Sequence, residues 1–179
     1  DPDPDALALV LTGEKTFTPF SQWVPDVSIM GEGVAAILVG KDSDRDQVLG
    51  YAARIHGRLD GVIEINTETA KYARQIYQDA MAEVIHAALD EAGIGLHDLK
   101  LLLPHNVNRV SWTVAADKLG LPVDRIFLDN LAATGHCFCA DPFINYQTAC
   151  ERGLLDPGDY YLMTAAGLGQ AFGATVLRH

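Results

Sequence analysis

The chain has 179 residues, 49% of them apolar, with 24 acidic against 13 basic residues and a formal charge of −11. That length supports a sizeable core, and the acidity excludes a protein that holds nucleic acid or anionic lipid by charge. No apolar run reaches the ~18–20 residues of a membrane span, and the opening residues do not read as a signal peptide. Cys137, Cys139 and Cys150 are an odd number of cysteines. They fit reduced thiols in the cytoplasm better than a disulfide framework.

Asp1-Pro2-Asp3-Pro4-Asp5 is a rigid acidic loop that feeds straight into Ala6–Leu11, an apolar run suited to a buried strand. Such a start has the look of the middle of something. Residues 12–29 read as an irregular loop, followed by Gly31-Glu32-Gly33 and the apolar strand Val34–Val39. The charged connection Lys41–Gln47 is the expected boundary between two units, 1–41 and 48–179. Val48–Ile55 is a further strand. From Thr67 the period turns helical: Ala73, Ile76, Tyr77, Ala80, Val84, Ala87 and Ala88 share one face, and Gly93 ends the helix near Ala92.

Leu99–Leu103 is a short apolar run of the kind that forms a buried parallel strand. A helix is predicted over 107–119, stopping at Gly120 with Pro122 beyond. Arg125–Leu128 is predicted as the next strand and Cys137–Arg152 as a helix. After the turn Asp156-Pro157-Gly158-Asp159 come strands Tyr160–Ala165 and Ala171–Leu177. From Val48 the order is β, α, β, α, β, α, β, β, an α/β layered sheet with helices on its faces. Ligands in such sheets bind beyond the carboxyl ends of the strands. His105 and His136 are both expected at that edge, each near a helix N-terminus. They form the best site candidate.

Several stretches resemble one family. Gly31-Glu32-Gly33-Val34-Ala35-Ala36 is similar to its Gly-Asp-Gly-Ala-Gly-Ala strand, and Pro104-His105-Asn106-Val107-Asn108 to its Pro-His-Gln-Ala-Asn motif. Gly120-Leu121-Pro122 resembles its Leu-Gly-Leu-Pro turn, and Gly135-His136 stands where it has Gly-Asn. Gly153–Gly158 resembles its Gly-rich turn, and Gly167-Leu168-Gly169-Gln170-Ala171-Phe172-Gly173-Ala174 its closing Gly-x-Gly-Leu-Thr-Trp-Gly-Ala. The family is β-ketoacyl-acyl carrier protein synthase III, with a thiolase-like layered fold made of two similar halves.

The resemblance implies that 1–41 is the tail of the first half and 48–179 the second. The nucleophilic cysteine then lies on an amino-terminal segment or partner chain, not at Cys137, Cys139 or Cys150. It implies His105 as a hydrogen-bond donor to the reacting carbonyl, Gly169 as an oxyanion-hole N–H, and Asn106 and Asn108 as supports of the His105 loop. Arg109 lies beside the place of the family's carrier-docking arginine, where this chain has Val110. His136 departs from the family's asparagine, but a neutral imidazole also offers an N–H to an oxyanion. Helix dipoles are expected to keep both rings uncharged.

The implied activity is decarboxylative condensation of an acyl-cysteine with a malonyl-type thioester. The alternatives are acyl transfer to an O, N or S acceptor, with His136 as base, and a non-catalytic partner subunit. Acyl-CoA or acyl carrier protein is the implied substrate, and a homodimer the implied assembly. No cofactor is expected. No metal is expected either, because His136-Cys137-Phe138-Cys139 has no second ligand pair at zinc spacing. His56, His86, His97 and His179 stand in no motif and are expected on the surface.

Overall fold

The structure is a computed structural model that describes residues 3, 5–15, 23–24, 28–41, 43–56, 67–167 and 170–179. Strand β1 (Ala8–Glu14) pairs antiparallel with β4 (Gly33–Val39), in a register running from Ala8 opposite Val39 to Glu14 opposite Gly33. Between them, β2 (Trp23–Val24) and β3 (Ser28–Ile29) form a small antiparallel pair. Part of the irregular loop predicted over 12–29 is thus strand, because pairing with β4 carries β1 three residues further than its apolar run.

The main sheet has four strands in the order β5 (Gln47–Ile55), β8 (Ala171–Arg178), β7 (Tyr160–Gly167), β6 (Leu99–Pro104). Strands β6 and β7 run parallel, and the other neighbours antiparallel. Helix α1 (Thr67–Ala92) and helix α2 (Arg109–Leu119) lie on one face. There Met81, Val84, Ile85 and Ala88 pack with Leu102, Leu162, Val176 and Trp112. On the other face, helix α4 (Asp141–Glu151) brings Ala149 to Leu101, Leu103, Phe127 and Tyr161. Side chains alternate along a strand, so Leu102 enters one cluster while Leu101 and Leu103 enter the other. This is why β6 reads as an unbroken apolar run: both of its faces are covered.

Two predicted elements take another form. Residues 125–128 do not make a strand. A 3-10 turn, Val123–Arg125, is followed by a single parallel bridge between Leu102 and Ile126. The Arg125 guanidinium donates to the Leu99 carbonyl at 2.6 Å and takes an acceptor that a longer ladder needs. The helix predicted from Cys137 begins only at Asp141, after a 3-10 turn over Phe138–Ala140. Phe138 has φ +56°, in the left-handed region that a right-handed helix cannot contain, and Pro142 sits in the first turn of α4, where its missing N–H costs nothing. A four-residue helix, α3 (Leu131–Thr134), precedes this segment. Helix α2 starts at Arg109 because the Asn108 side chain caps it, accepting from the Ser111 N–H at 2.7 Å.

No described helix is long and apolar enough to cross a membrane. Strands β1 and β4 leave Leu9, Leu11, Val34 and Leu38 exposed, an apolar surface of the sort that usually meets another polypeptide.

Candidate active site

His105 follows directly on β6, and its N–H donates to the Thr164 carbonyl of β7 at 3.0 Å. Its own carbonyl accepts from the Trp112 indole N–H at 2.8 Å, so β7 and α2 together hold its backbone. His136 reaches the same place by a different route. Its N–H donates to the Ile29 carbonyl, and its carbonyl accepts from the Gly31 N–H, each at 2.9 Å. The two imidazoles stand side by side with ring centroids 5.6 Å apart. Both residues are buried.

The glycines flanking this junction are there for space. A Cβ on Gly31 would lie 1.9 Å from the Thr134 carbonyl oxygen and 2.8 Å from Cys137 Sγ. Gly135 has φ +66°, and a Cβ there would lie 2.7 Å from the Ile29 carbonyl oxygen. The Gly31→Ala variant should therefore lose about 1–3 kcal/mol of stability from forced separation of these segments, read from urea midpoints, with a parallel loss of His136 alignment.

Sequence reasoning missed Asp141, the residue that organises the site. Its fully buried carboxylate accepts from His136 Nδ1 at 2.5 Å, from the Asn106 N–H at 2.7 Å and from the Cys137 N–H at 2.7 Å. The only local signal is an acid ahead of Pro142, which marks a helix start and says nothing of the histidine. Around it Asn145 Nδ2 donates to the Pro104 carbonyl at 2.8 Å and to Asn106 Oδ1 at 3.0 Å, and Asn130 Nδ2 donates to Asn145 Oδ1 at 3.1 Å. Asn106 is thus a buried member of this network, and Asn108 a helix cap.

The environment of His136 differs from the expected helix N-terminus. The helix begins five residues later, and what the ring meets is a carboxylate. With Nδ1 engaged by Asp141, Nε2 is the ring nitrogen left to meet a ligand. Phe138 stacks on the other side of the ring at 5.2 Å and 28°. For His105, burial first and the neighbouring His136 second push its pKa down to about 3, so it is uncharged at neutral pH. The expected cause was a helix dipole; the causes found are burial and the neighbouring His136.

Tyr77 was visible only as one residue of the apolar face of α1. Its hydroxyl lies 2.7 Å from His105 Nε2. Cys137 is packed beneath the site, and burial together with the Asp141 charge pushes its thiol up to about 11, which leaves it protonated. Gly169 lies outside the described residues. Among the described residues no group of histidine, cysteine, aspartate or glutamate is disposed to hold a metal ion.

His86 and His97 are on the surface as expected, but two other histidines are not. His56 is half-buried against Phe172. The His179 side chain is buried and donates from Nδ1 to Asp46 Oδ1 at 2.8 Å, where the Tyr146 and Tyr161 hydroxyls also donate. Three donors hold the Asp46 carboxyl below its usual range, against the raising effect of its burial.

The sequence profile of the family described as "3-Oxoacyl-[acyl-carrier-protein (ACP)] synthase III C terminal" matches residues 89–179. A relative named beta-ketoacyl-[acyl-carrier-protein] synthase III, from Aquifex aeolicus, is 28% identical over 158 residues, covering 84% of this chain and 50% of its own length. A crystal structure of the 3-oxoacyl-[acyl-carrier-protein] synthase III of that organism superposes with a TM-score of 0.74 at 26% identity, over 84% of this chain and 50% of that one. The fold is shared at a TM-score of 0.85 by an acyltransferase named ChlB3, at 22% identity over 98% of this chain and 60% of that one. The chain spans about half the length of the curated relatives it matches.

Proposed function

Because the chain belongs to the 3-oxoacyl-[acyl-carrier-protein] synthase III C-terminal family, we propose that it is the carboxyl-terminal part of a ketosynthase-III-like enzyme acting on acyl thioesters. Residues 1–41 are then the tail of a first thiolase-like half and 48–179 the second half. The nucleophilic cysteine comes from an amino-terminal segment or partner chain, and the assembled enzyme is a cytoplasmic homodimer fed by acyl-CoA or acyl carrier protein. Exposed Leu9, Leu11, Val34 and Leu38 offer that missing part an apolar surface. An open cleft between β4 and the main sheet, lined by Ala36, Leu38, Ile144, Thr164 and Leu177, offers it a seat.

The observation that carries the reading is the buried pair of imidazoles 5.6 Å apart. The cysteine takes the acyl group with ping-pong kinetics. A malonyl-type thioester then loses carbon dioxide, and its enolate carbon displaces the cysteine thiolate. In this proposal the donors to the oxygens on which charge develops come from the His105 arm of the site, from His136 and from the Gly169 N–H.

One observation favours a second reading. The His136–Asp141 hydrogen bond orients the ring through Nδ1, as a carboxylate does for a histidine base that works from Nε2 on an alcohol, amine or thiol acceptor. The two readings separate in a single variant of the enzyme assembled with its amino-terminal part. Condensation needs a donor at 136, so His136→Asn keeps carbon dioxide release from a malonyl thioester within about tenfold. Acyl transfer needs a base there, so the same variant loses ~10²–10⁴ in rate. An assembled protein that turns over no acyl thioester is a non-catalytic subunit, and the enzymatic reading then fails.

A further inference from the structure

His105 Nδ1 is buried with no hydrogen-bond partner among the described residues. The ring's other nitrogen, Nε2, is 2.7 Å from the Tyr77 hydroxyl. A neutral imidazole carries its proton on one nitrogen only. If Nδ1 held it, a buried N–H would be orphaned, which is rarer and costlier than a bare acceptor. The Tyr77 side chain is only half-buried, so a hydrogen left over on its hydroxyl can turn to a ligand, whereas one on the enclosed Nδ1 cannot; the proton therefore belongs on Nε2, with Tyr77 Oη accepting it.

That assignment has a consequence for the phenol. Its oxygen is engaged by His105, while its own hydrogen has no acceptor among the described residues. Burial pushes the phenol pKa up, so the hydrogen stays in place at neutral pH. Edge-on contacts fix the ring from two sides, with centroids 6.0 Å from His105 and 5.8 Å from Phe172. His105 Nε2 is thus covered, and the donor that this arm of the site presents is the hydroxyl.

We propose that Tyr77 is a third catalytic residue, whose hydroxyl, backed by the His105 Nε2–H, donates the hydrogen bond to the carbonyl oxygen of the reacting acyl thioester. This rests on the acyl-thioester reading above and holds for either acceptor. As the attacking atom bonds to the carbonyl carbon, the C=O π pair moves onto oxygen. The hydroxyl holds that charge until the pair returns and the thiolate departs. Donation from His105 polarises the O–H and strengthens the bond it makes.

Two measurements test the assignment. In the full enzyme with its amino-terminal part, Tyr77→Phe keeps the ring between His105 and Phe172 and removes only the hydroxyl. It should lower kcat by about 10²-fold with KM within about threefold, because the interaction is made in the transition state. Nitrogen-15 shifts of the wild-type His105 ring should show a protonated Nε2 and a bare Nδ1. A Tyr77→Phe enzyme as fast as wild type or faster, or a ring protonated at Nδ1, overturns the assignment and leaves the acyl-thioester reading standing. A wild-type enzyme that consumes no acyl thioester brings down both.

Discussion

Asp141→Ala should lower stability by about 3–5 kcal/mol, the usual cost of removing one partner from a buried charged network. Three donors lose their acceptor at once: His136 Nδ1 and the backbone N–H groups of Asn106 and Cys137. None of these positions is open to water, since His136, Asn106 and Cys137 are all buried. Each orphaned donor keeps its desolvation penalty. Equilibrium unfolding in urea measures the loss as a shift of the midpoint at unchanged slope. A loss under about 1 kcal/mol means that the segments from β6 to α4 are held by their apolar contacts and that the carboxylate is incidental. The conservative Asp141→Asn change retains much of the shape but sets an amide N–H against donors. It also frees His136 to adopt the other tautomer, an error that costs ~10⁴ in rate where a triad aspartate is replaced. If both variants fold and the rate of Asp141→Asn stays near wild type, His136 is not acting as an oriented base.

Acid should destabilise this protein through His105, and the direction follows from its depressed pKa. Unfolded, the ring takes up a proton below its ordinary value of 6.5. Folded, it stays bare until about 3, because burial and the neighbouring His136 oppose its charge. The stability tied to this ring is therefore whole above pH 6.5 and is lost as pH falls toward 3, by about 1.4 kcal/mol per pH unit. The ring is 2% exposed, so solvent screens little of this. A His105→Gln variant has no proton to gain. It should be less stable than wild type at neutral pH, yet its stability should fall by about 2.3 kcal/mol less between pH 6.5 and about 4.5. Parallel pH profiles of the two proteins would mean that the folded His105 takes up its proton as readily as the unfolded one, and the donor arrangement with Tyr77 would have to be abandoned.

The fold was legible wherever a signal is local. The face of α1, the stop at Gly93, the buried run of β6 and the two closing strands all follow from periodicity and end residues within a turn or a strand. The misplaced elements failed for equally local reasons acting from outside the window. Residues 125–128 lost their ladder to a guanidinium that reaches Leu99, 26 residues back in the chain. The start of α4 moved because Phe138 adopts a left-handed backbone conformation under His136.

At the site, the pairing of His105 with His136 was readable because motifs and strand-end positions are written in consecutive residues. Their partners were not. Tyr77 and Asp141 meet His105 and the Asn106 backbone across 28 and 35 residues of chain, and neither has a pattern around it that names the partner. By itself, the sequence determined the layered architecture and marked the two histidines, since periodicity and motifs are properties of short stretches; the uncharged state of His105 comes from its burial among distant segments. Only the tertiary structure decided which partner each ring nitrogen meets. A tautomer is set by the hydrogen bond on the opposite side of the ring, and that bond exists only once distant segments have packed.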